Sequence, residues 1–255
     1  MIDTVYISLD QDWVDDVAMA FVLSMLSERG CKATLFVTHS SPLTSDLANN
    51  PLIERAIHPN FNPLLSGKAQ ERGDTSELIL DELKTIVPEA VSLRSHCLVA
   101  GTPIMRASWA RGLRIDANPY LPFRQVGDIR PWRFWTGTLA VPFVWSDYID
   151  FVMGKDPDPM DLLDMKNVTK VVAFHPIHIF LNTLDNDHYV SAKNSELEIE
   201  EKRKTLRGDG VGVEVIFERF LDTVVDRGSR TGFLRDFLSN DPSEPGNDDP
   251  EAQVN

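Results

Sequence analysis

Cysteine is scarce in this chain, whose 255 residues include only Cys31 and Cys97. Two cysteines in apolar surroundings do not make the disulfide framework of a small secreted domain, so we expect two buried free thiols. No second cysteine stands near Cys97 at the spacing of a metal site, which argues against a cysteine-based metal centre.

Positive charge is also in short supply. Lysine and arginine number 25 against 39 aspartates and glutamates, and the formal net charge is −14. Proteins that bind nucleic acid need clustered cations to displace counterions, so this balance argues against a nucleic-acid partner. Residues 240–255 contain five acids and no lysine or arginine, and we predict that they form a disordered acidic tail.

Long hydrophobic runs are missing as well. No stretch reaches the roughly 20 apolar residues of a transmembrane helix, and the N-terminus lacks the cationic and apolar segments of a signal peptide. We therefore expect no membrane span and a cytoplasmic location. A hydrophobic fraction of 42% in 255 residues suits a single α/β barrel domain, which we place at residues 1–239.

Strand and helix patterns alternate along the chain. Apolar runs predict the main strands at residues 4–9, 32–38, 53–58 and 169–174. Helical periodicity predicts the main helices at residues 14–29, 75–87, 102–111 and 211–227. With the shorter candidates included, this alternation predicts an α/β fold of about seven strands, a number that suits a (β/α) barrel, with an open parallel sheet as the alternative. Residues 183–210 are a long polar stretch without a predicted element.

Polar side chains gather where the predicted strands end. Asp10 and Asp12 follow the first strand, and five of the six histidines follow apolar runs, namely His39, His58, His96, His175 and His178. The carboxyl ends of parallel strands meet at one edge of a sheet, where α/β enzymes build their active sites. The placement predicts an enzyme that uses a metal ion.

The strongest motif is Asp10-Gln11-Asp12 at the end of the first strand. Alternation places Asp10 and Asp12 on the same side, so that one carboxylate can bind a cation while the other acts as a base. The alternative for Asp12 is that it caps the following helix.

The histidines and one arginine extend this site. His58 precedes a proline and therefore lies at the strand end, where a neutral imidazole is a normal zinc ligand, although a hydrogen-bonded surface histidine fits the same pattern. Asn60 can hold a substrate hydroxyl or simply form a turn. Arg94 can orient Asp10 through a two-pronged bond, and His96 can complete a metal shell.

A second group of candidates lies at the late strand end. His175 is suited to act as a general acid, and His178 stands three residues further on. Both could instead be histidines at the edge of the core, bonded to the backbone. His39 is a residue of the same edge with no defined role.

An aromatic band contains Trp132, Phe134 and Trp135, followed by Trp145 and Asp147. Flat rings can stack on the face of a sugar, so the band is a candidate sugar platform. Core packing is the better explanation for most of these residues, because a loop that covers the barrel end needs apolar side chains in any case.

These residues, in this order, resemble the polysaccharide deacetylase superfamily (carbohydrate esterase family four), and above all a divergent branch associated with surface-polysaccharide (O-antigen) biosynthesis. The resemblance covers residues 4–182. It implies a distorted (β/α) barrel that binds a divalent metal, often zinc, and removes acetyl groups from N-acetylated sugars.

The resemblance also implies roles for individual residues. Asp10 matches the family's base and Asp12 a metal ligand, although Gln11 separates two acids that are adjacent in most members. His58 matches the first histidine of the second motif, and Asn62 stands where the second histidine is expected.

The remaining motifs match in part. Arg94 corresponds to the arginine that orients the base, and His96, in the same motif, is our candidate for the third metal ligand. Trp145-Ser146-Asp147 resembles a degraded aspartate-tryptophan motif, and His175 resembles the late histidine that acts as the acid.

The sequence therefore predicts a metal-dependent deacetylase of an N-acetylated sugar or glycan precursor. Its predicted catalytic residues are Asp10, Arg94 and His175, and its predicted metal ligands are Asp12, His58 and His96. The predicted substrate-binding residues are His39, Asn60, Trp145, Asp147 and His178. The alternative is an inactive relative that binds a glycan, and a third option is cleavage of an ester in place of an amide.

Overall fold

The computed structural model describes residues 3–66, 75–125, 127–154 and 158–239. Within these ranges the chain forms ten strands: β1 (Thr4–Asp10), β2 (Ala33–Val37), β3 (Ile53–Ile57), β4 (Ser92–Leu93), β5 (Ile115–Asp116), β6 (Trp132–Arg133), β7 (Leu139–Ala140), β8 (Trp145–Ser146), β9 (Lys170–Phe174) and β10 (Arg230–Thr231). The predicted tail at 240–255 lies outside the described residues.

Eleven helices accompany these strands in the described residues, and buried side chains of the longest ones pack against the outer face of the sheet. The helices are α1 (Asp16–Glu28), α2 (Pro42–Asp46), α3 (Asn62–Leu65), α4 (Ser76–Ile86), α5 (Thr102–Ala110), α6 (Asp147–Val152), α7 (Pro176–Phe180), α8 (Asn186–Asn194), α9 (Ile199–Leu206), α10 (Val213–Asp226) and α11 (Asp236–Ser239). Short 3₁₀ turns occupy 47–49, 96–98 and 160–164. Inside the described ranges, no helix combines the length and the apolar character needed to cross a bilayer.

The strands form one sheet in the order β6-β7-β5-β4-β3-β2-β1-β9-β8, with β10 beside the start of β1. All of its strand pairs are parallel except β6–β7. The sheet curls, and a parallel bridge between Tyr120 and Phe143 links the segment after β5 to the segment before β8. The predicted α/β fold with a distorted barrel is confirmed. The strand number exceeds seven because several strands are only two residues long.

Alternation along the strands divides the core into two layers. Ile7 and Leu9 of β1 belong to the larger cluster, which also contains the buried residues of the helices. Phe36, Ala56 and Val171 belong to a second cluster inside the curl of the sheet. Because successive side chains point to opposite faces, Ser8 and Asp10 share the inner face of β1.

The first helix begins at an aspartate, but not at the one expected. The side chain of Asp15 accepts hydrogen bonds from the backbone N–H groups of Val17 and Ala18, so Asp15 is the N-cap of α1. The capping alternative for Asp12 is therefore wrong, and its carboxylate is available for another partner.

Two further expectations need correction. The polar stretch at 183–210 contains the helices α8 and α9, which bury little apart from Ala192 and Lys202. Cys97 is exposed, whereas Cys31 is buried as predicted, because Cys97 lies in the 3₁₀ turn at the open end of the barrel.

Candidate metal centre and active site

Three side chains converge beyond the carboxyl ends of β1, β3 and β4. Oδ1 of Asp12 lies 3.3 Å from Nε2 of His58 and 3.1 Å from Nδ1 of His96. The imidazole rings of His58 and His96 are nearly perpendicular, with centroids 5.7 Å apart. The structure thus brings together the three predicted metal ligands, although the chain separates them widely.

Local backbone geometry aims these side chains at one another. Asp12 has a φ of +49°, and Cys97 and Leu98, directly after His96, have φ values of +55° and +58°. Such left-handed conformations are uncommon for residues other than glycine, and they occur where the surrounding structure holds them in place. The N–H of His96 also donates to the carbonyl oxygen of Pro59 at 2.9 Å, which ties the loop of His96 to that of His58.

The geometry of this cluster fits a divalent cation. Two ligands at tetrahedral angles around an ion, with bonds of about 2.1 Å, lie about 3.4 Å apart. The separations of 3.1 and 3.3 Å around Asp12 are close to that value. One carboxylate and two imidazoles are a donor set that zinc accepts, with room left for water or substrate.

The electrostatics of Asp12 agree with this interpretation. Burial raises the pKa of Asp12, but hydrogen bonds with His58 and His96 and the charge of His175 outweigh that effect and hold the pKa well below its usual range. The carboxylate is therefore charged at neutral pH, which is the form that binds a cation.

Asp10 lies beside this cluster and is held by Arg94 inside the barrel. Nη1 of Arg94 donates to Oδ1 of Asp10 and to Oγ of Ser8, each at 2.9 Å. The guanidinium carbon of Arg94 lies 4.4 Å from the ring centroid of Phe36 and 4.6 Å from that of Phe143. This sandwich keeps the arginine in one place, so the carboxylate of Asp10 is fixed as well.

Gln11, which separates the two acids, has a structural partner. Its Oε1 accepts a hydrogen bond from the N–H of Thr38 at 2.9 Å, and the Gln11 side chain is buried. The glutamine thus anchors the loop after β2, and the left-handed turn at Asp12 returns the next carboxylate to the site. Asp10 and Asp12 therefore reach the same site although Gln11 separates them in the chain.

The imidazole of His175 faces the carboxylates of Asp10 and Asp12. Its Nε2 lies 3.9 Å from Oδ2 of Asp10 and 3.8 Å from Oδ2 of Asp12. Its Nδ1 lies 2.7 Å from Oδ1 of Asp147, whose other oxygen accepts from the N–H of His175 at 2.9 Å. Asp147 therefore fixes the orientation of the imidazole and leaves Nε2 pointing into the site.

Asp147, His175 and His178 also form a cluster with metal-ligating side chains. The 2.7 Å between His175 and Asp147 is a hydrogen-bond distance and is short for two ligands that share an ion. Burial lowers the pKa of His175, but the charges of Asp147, Asp12 and Asp10 outweigh it and raise the pKa to about 9. We therefore interpret this cluster as a hydrogen-bonded group that keeps His175 protonated.

Three of the predicted substrate-binding residues are buried. Trp145 is 1% exposed and packs on Phe174, with ring centroids 4.7 Å apart, so its ring cannot stack on a sugar. Asp147 and His178 are 0% and 1% exposed, and they lie behind His175. Their side chains lie inside the fold, so the structure gives no support to the predicted contact of these three residues with substrate.

His39 and Asn60 remain near the site. Nε2 of His39 lies 3.4 Å from Nε2 of Gln11, and both His39 and Asn60 are half-buried. Oδ1 of Asn60 accepts a hydrogen bond from the N–H of Asn62 at 3.1 Å, which is the turn chemistry considered as its alternative.

Sequence reasoning missed two kinds of neighbour. Ser8, which holds Arg94, could have been found from alternation, since it stands two residues before Asp10 on the same strand face. Trp13 and Tyr148, exposed aromatic residues that directly follow Asp12 and Asp147, could have been found from that adjacency alone.

A barrel with charged residues converging at the carboxyl ends of its strands is the architecture of many α/β enzymes. Residues 7–193 match the family of WbmS-like polysaccharide deacetylases, and the chain belongs to that family. The family match and the site lie on the same segment of the chain.

A solved structure of the same kind supports the assignment. It is a candidate polysaccharide deacetylase involved in O-antigen biosynthesis, WbmS from Bordetella bronchiseptica. The two chains are 32% identical with a TM-score of 0.76, over 86% of this chain and 90% of that chain.

More distant similarity concerns the fold alone. The 4-alpha-glucanotransferase from Thermococcus litoralis is 14% identical, with a TM-score of 0.50, over 95% of this chain and 39% of that chain. No curated protein matches the chain.

Proposed function

We propose that the protein is a metal-dependent hydrolase that removes the acetyl group from an N-acetylated sugar in surface-polysaccharide biosynthesis of the O-antigen type. The observation that carries this proposal is the convergence of Asp12, His58 and His96, with Asp10 and His175 beside them. The family match and the similarity to WbmS support the deacetylase activity and the glycan substrate.

Asp12, His58 and His96 would hold the ion, for which their donor set favours zinc. A divalent ion at this position would polarise the acetyl carbonyl and lower the pKa of a water molecule.

The other residues move protons. Asp10, oriented by Arg94, accepts the proton of the water that attacks the carbonyl carbon. His175, kept protonated by Asp147, donates its proton to the nitrogen as the carbon–nitrogen bond breaks. The products are acetate and a sugar with a free amine.

The substrate class follows from the family and not from the site alone. We propose an N-acetylated glycan precursor, such as a nucleotide- or lipid-linked sugar, and the cytoplasmic location stays a prediction. The complete base, ligand and acid arrangement favours catalysis over the alternative of an inactive glycan-binding relative.

Metal content and acetate release test the proposal together. We expect one zinc per chain in the purified protein, lost in His58→Ala and His96→Ala and retained in His188→Gln. His188 is a matched control because its ring binds the carbonyl oxygen of Leu206, away from the cluster. Asp10→Asn should keep the metal and lose acetate release from N-acetylated saccharides.

Two outcomes would contradict the proposal. If His96→Ala holds as much metal as the control His188→Gln, His96 is not a metal ligand. A fully metal-loaded wild-type protein that releases acetate from no N-acetylated saccharide, but binds one, would favour the glycan-binding alternative.

A further inference from the structure

Three neighbouring aromatic rings line a surface beside the candidate active site, with the rings of Tyr148 and Tyr189 nearly perpendicular to each other. They belong to Trp13 after β1, Tyr148 in α6 and Tyr189 in α8, and we call this surface the aromatic ledge. Nε1 of Trp13 donates to the hydroxyl oxygen of Tyr189 at 3.2 Å, and the ring centroids of Tyr148 and Tyr189 are 6.2 Å apart. The ledge is thus assembled from three separate segments of the chain.

One end of the ledge lies beside His175, the residue that faces Asp10 and Asp12. The ring of Tyr148 lies 5.8 Å from that of His175, and the ring of Tyr189 lies 4.6 Å from that of His178. Trp13 directly follows Asp12 in the chain. A molecule on the ledge would therefore touch the His175 side of the site.

Two of the three rings are exposed, Tyr189 is half-buried, and a cation restrains one ring. Trp13 is 37% exposed and Tyr148 is 40% exposed. The ammonium group of Lys202, which is buried and donates to the carbonyl oxygen of Ala192, lies 5.4 Å from the ring centroid of Trp13. A cation over an aromatic face restrains the ring, so this part of the surface is prepared before a ligand arrives.

We propose that the aromatic ledge binds the pyranose ring that carries the acetamido group, by stacking against the C–H face of the sugar. This inference rests on the proposed function, in which His175 protonates the departing amine. The amine stays on the sugar, so the sugar must lie on the His175 side, where the ledge is. Exposed aromatic rings with a few polar groups around them are the usual lining of such a site.

The candidate platform identified from the sequence now serves as a control. Trp135 is 63% exposed, and its ring lies 5.9 Å from the guanidinium carbon of Arg106. Replacing Trp135 by alanine therefore removes an exposed tryptophan of the same type at a different place on the surface.

Direct saccharide binding tests the proposal. Ligand-observed NMR and calorimetry would be run with N-acetylglucosamine, N-acetylgalactosamine, N-acetylmannosamine and diacetylchitobiose. We expect Trp13→Ala and Tyr148→Ala to weaken binding about tenfold, Trp13→Phe to weaken it less, and Trp135→Ala to leave it unchanged. In the acetate-release assay, the same ledge variants should raise KM with little change in kcat.

The outcomes separate this inference from the proposed function. If the ledge variants bind saccharide as well as Trp135→Ala does, the aromatic ledge does not bind the sugar, even where acetate release is normal. If the ledge variants weaken binding while the wild-type protein releases no acetate, saccharide binding by the ledge is supported and the proposed hydrolase activity is contradicted. Binding of no saccharide in the panel overturns the ledge, and circular dichroism of each variant shows whether the fold is kept.

Discussion

Arg94 and Asp10 form a buried ion pair inside the barrel, with 2.9 Å between Nη1 and Oδ1. The arginine is 1% exposed and the aspartate 5% exposed, so neither partner is solvated well without the other. Forming a buried pair adds little net stability, because both charges lose their hydration, but removing one partner is costly, since it leaves an unpaired buried charge. The pair fixes the carboxylate that we propose as the base.

We predict that Arg94→Met loses both stability and activity. The buried carboxylate of Asp10 would have no cation, and the free energy of unfolding should fall by about 3–5 kcal/mol. A misplaced base should lower acetate release about a hundredfold or more. Urea denaturation and the acetate assay measure the two effects.

The matched control for this prediction is Arg111→Met. Arg111 pairs with Asp81 at 2.6 Å on the surface, where the carboxylate is 57% exposed. Solvent screens an exposed pair of this kind, so it contributes little to stability. If both variants lose the same free energy of unfolding, burial of the Arg94–Asp10 pair does not make it more important for stability than the surface pair.

The pairing of His175 with Asp147 predicts a pH dependence of stability. Burial lowers the pKa of His175, but Asp147 and the nearby acids raise it to about 9, above the 6.5 of an ordinary histidine. A raised histidine pKa stabilises the folded state fully below the unfolded value, and that contribution is lost as pH rises through the folded value.

We therefore expect the stability difference between the wild type and Asp147→Asn to be largest below pH 6.5 and to shrink towards pH 9. The measurement is urea denaturation of the metal-free proteins across this range, together with an NMR titration that follows the ring of His175. A difference that stays constant between these pH values would rule out Asp147 as the cause of the raised pKa.

Strand alternation made much of the site predictable. Asp10, His58 and His175 each stand at the end of a strand whose apolar run is visible in the sequence. The pattern therefore predicts at which edge of the sheet, and on which face of the strand, each side chain lies. Trp145 was misplaced because β8 has only two residues, and a two-residue strand shows no alternation that could tell inside from outside.

Other features left no pattern in the sequence. The helix α8 buries only Ala192, and α9 buries only Lys202, so neither carries the apolar stripe by which helices are recognised. The left-handed backbone at Asp12 and at Cys97 depends on contacts between distant loops, which local propensity does not encode.

A last prediction concerns the segment that follows α9. Nδ2 of Asn182 donates to the carbonyl oxygens of Gly208 and Gly210, at 2.9 and 3.0 Å, and thereby ties this segment to the end of α7. A Cβ atom on Gly212 would lie 2.3 Å from the backbone oxygen of Asn182. The φ of Gly212 is −108°, which alanine adopts freely, so space alone forbids a side chain here.

We expect Gly212→Ala to lower the free energy of unfolding by about 1–3 kcal/mol or more, because a backbone oxygen cannot move aside as a flexible side chain can. Gly127→Ala is the matched control, since a Cβ atom on Gly127 has no neighbour within 4 Å. Thermal and urea denaturation of both variants measure the difference. If Gly212→Ala is as stable as Gly127→Ala, the segment after α9 does not approach the backbone of Asn182 closely enough to exclude a side chain at Gly212.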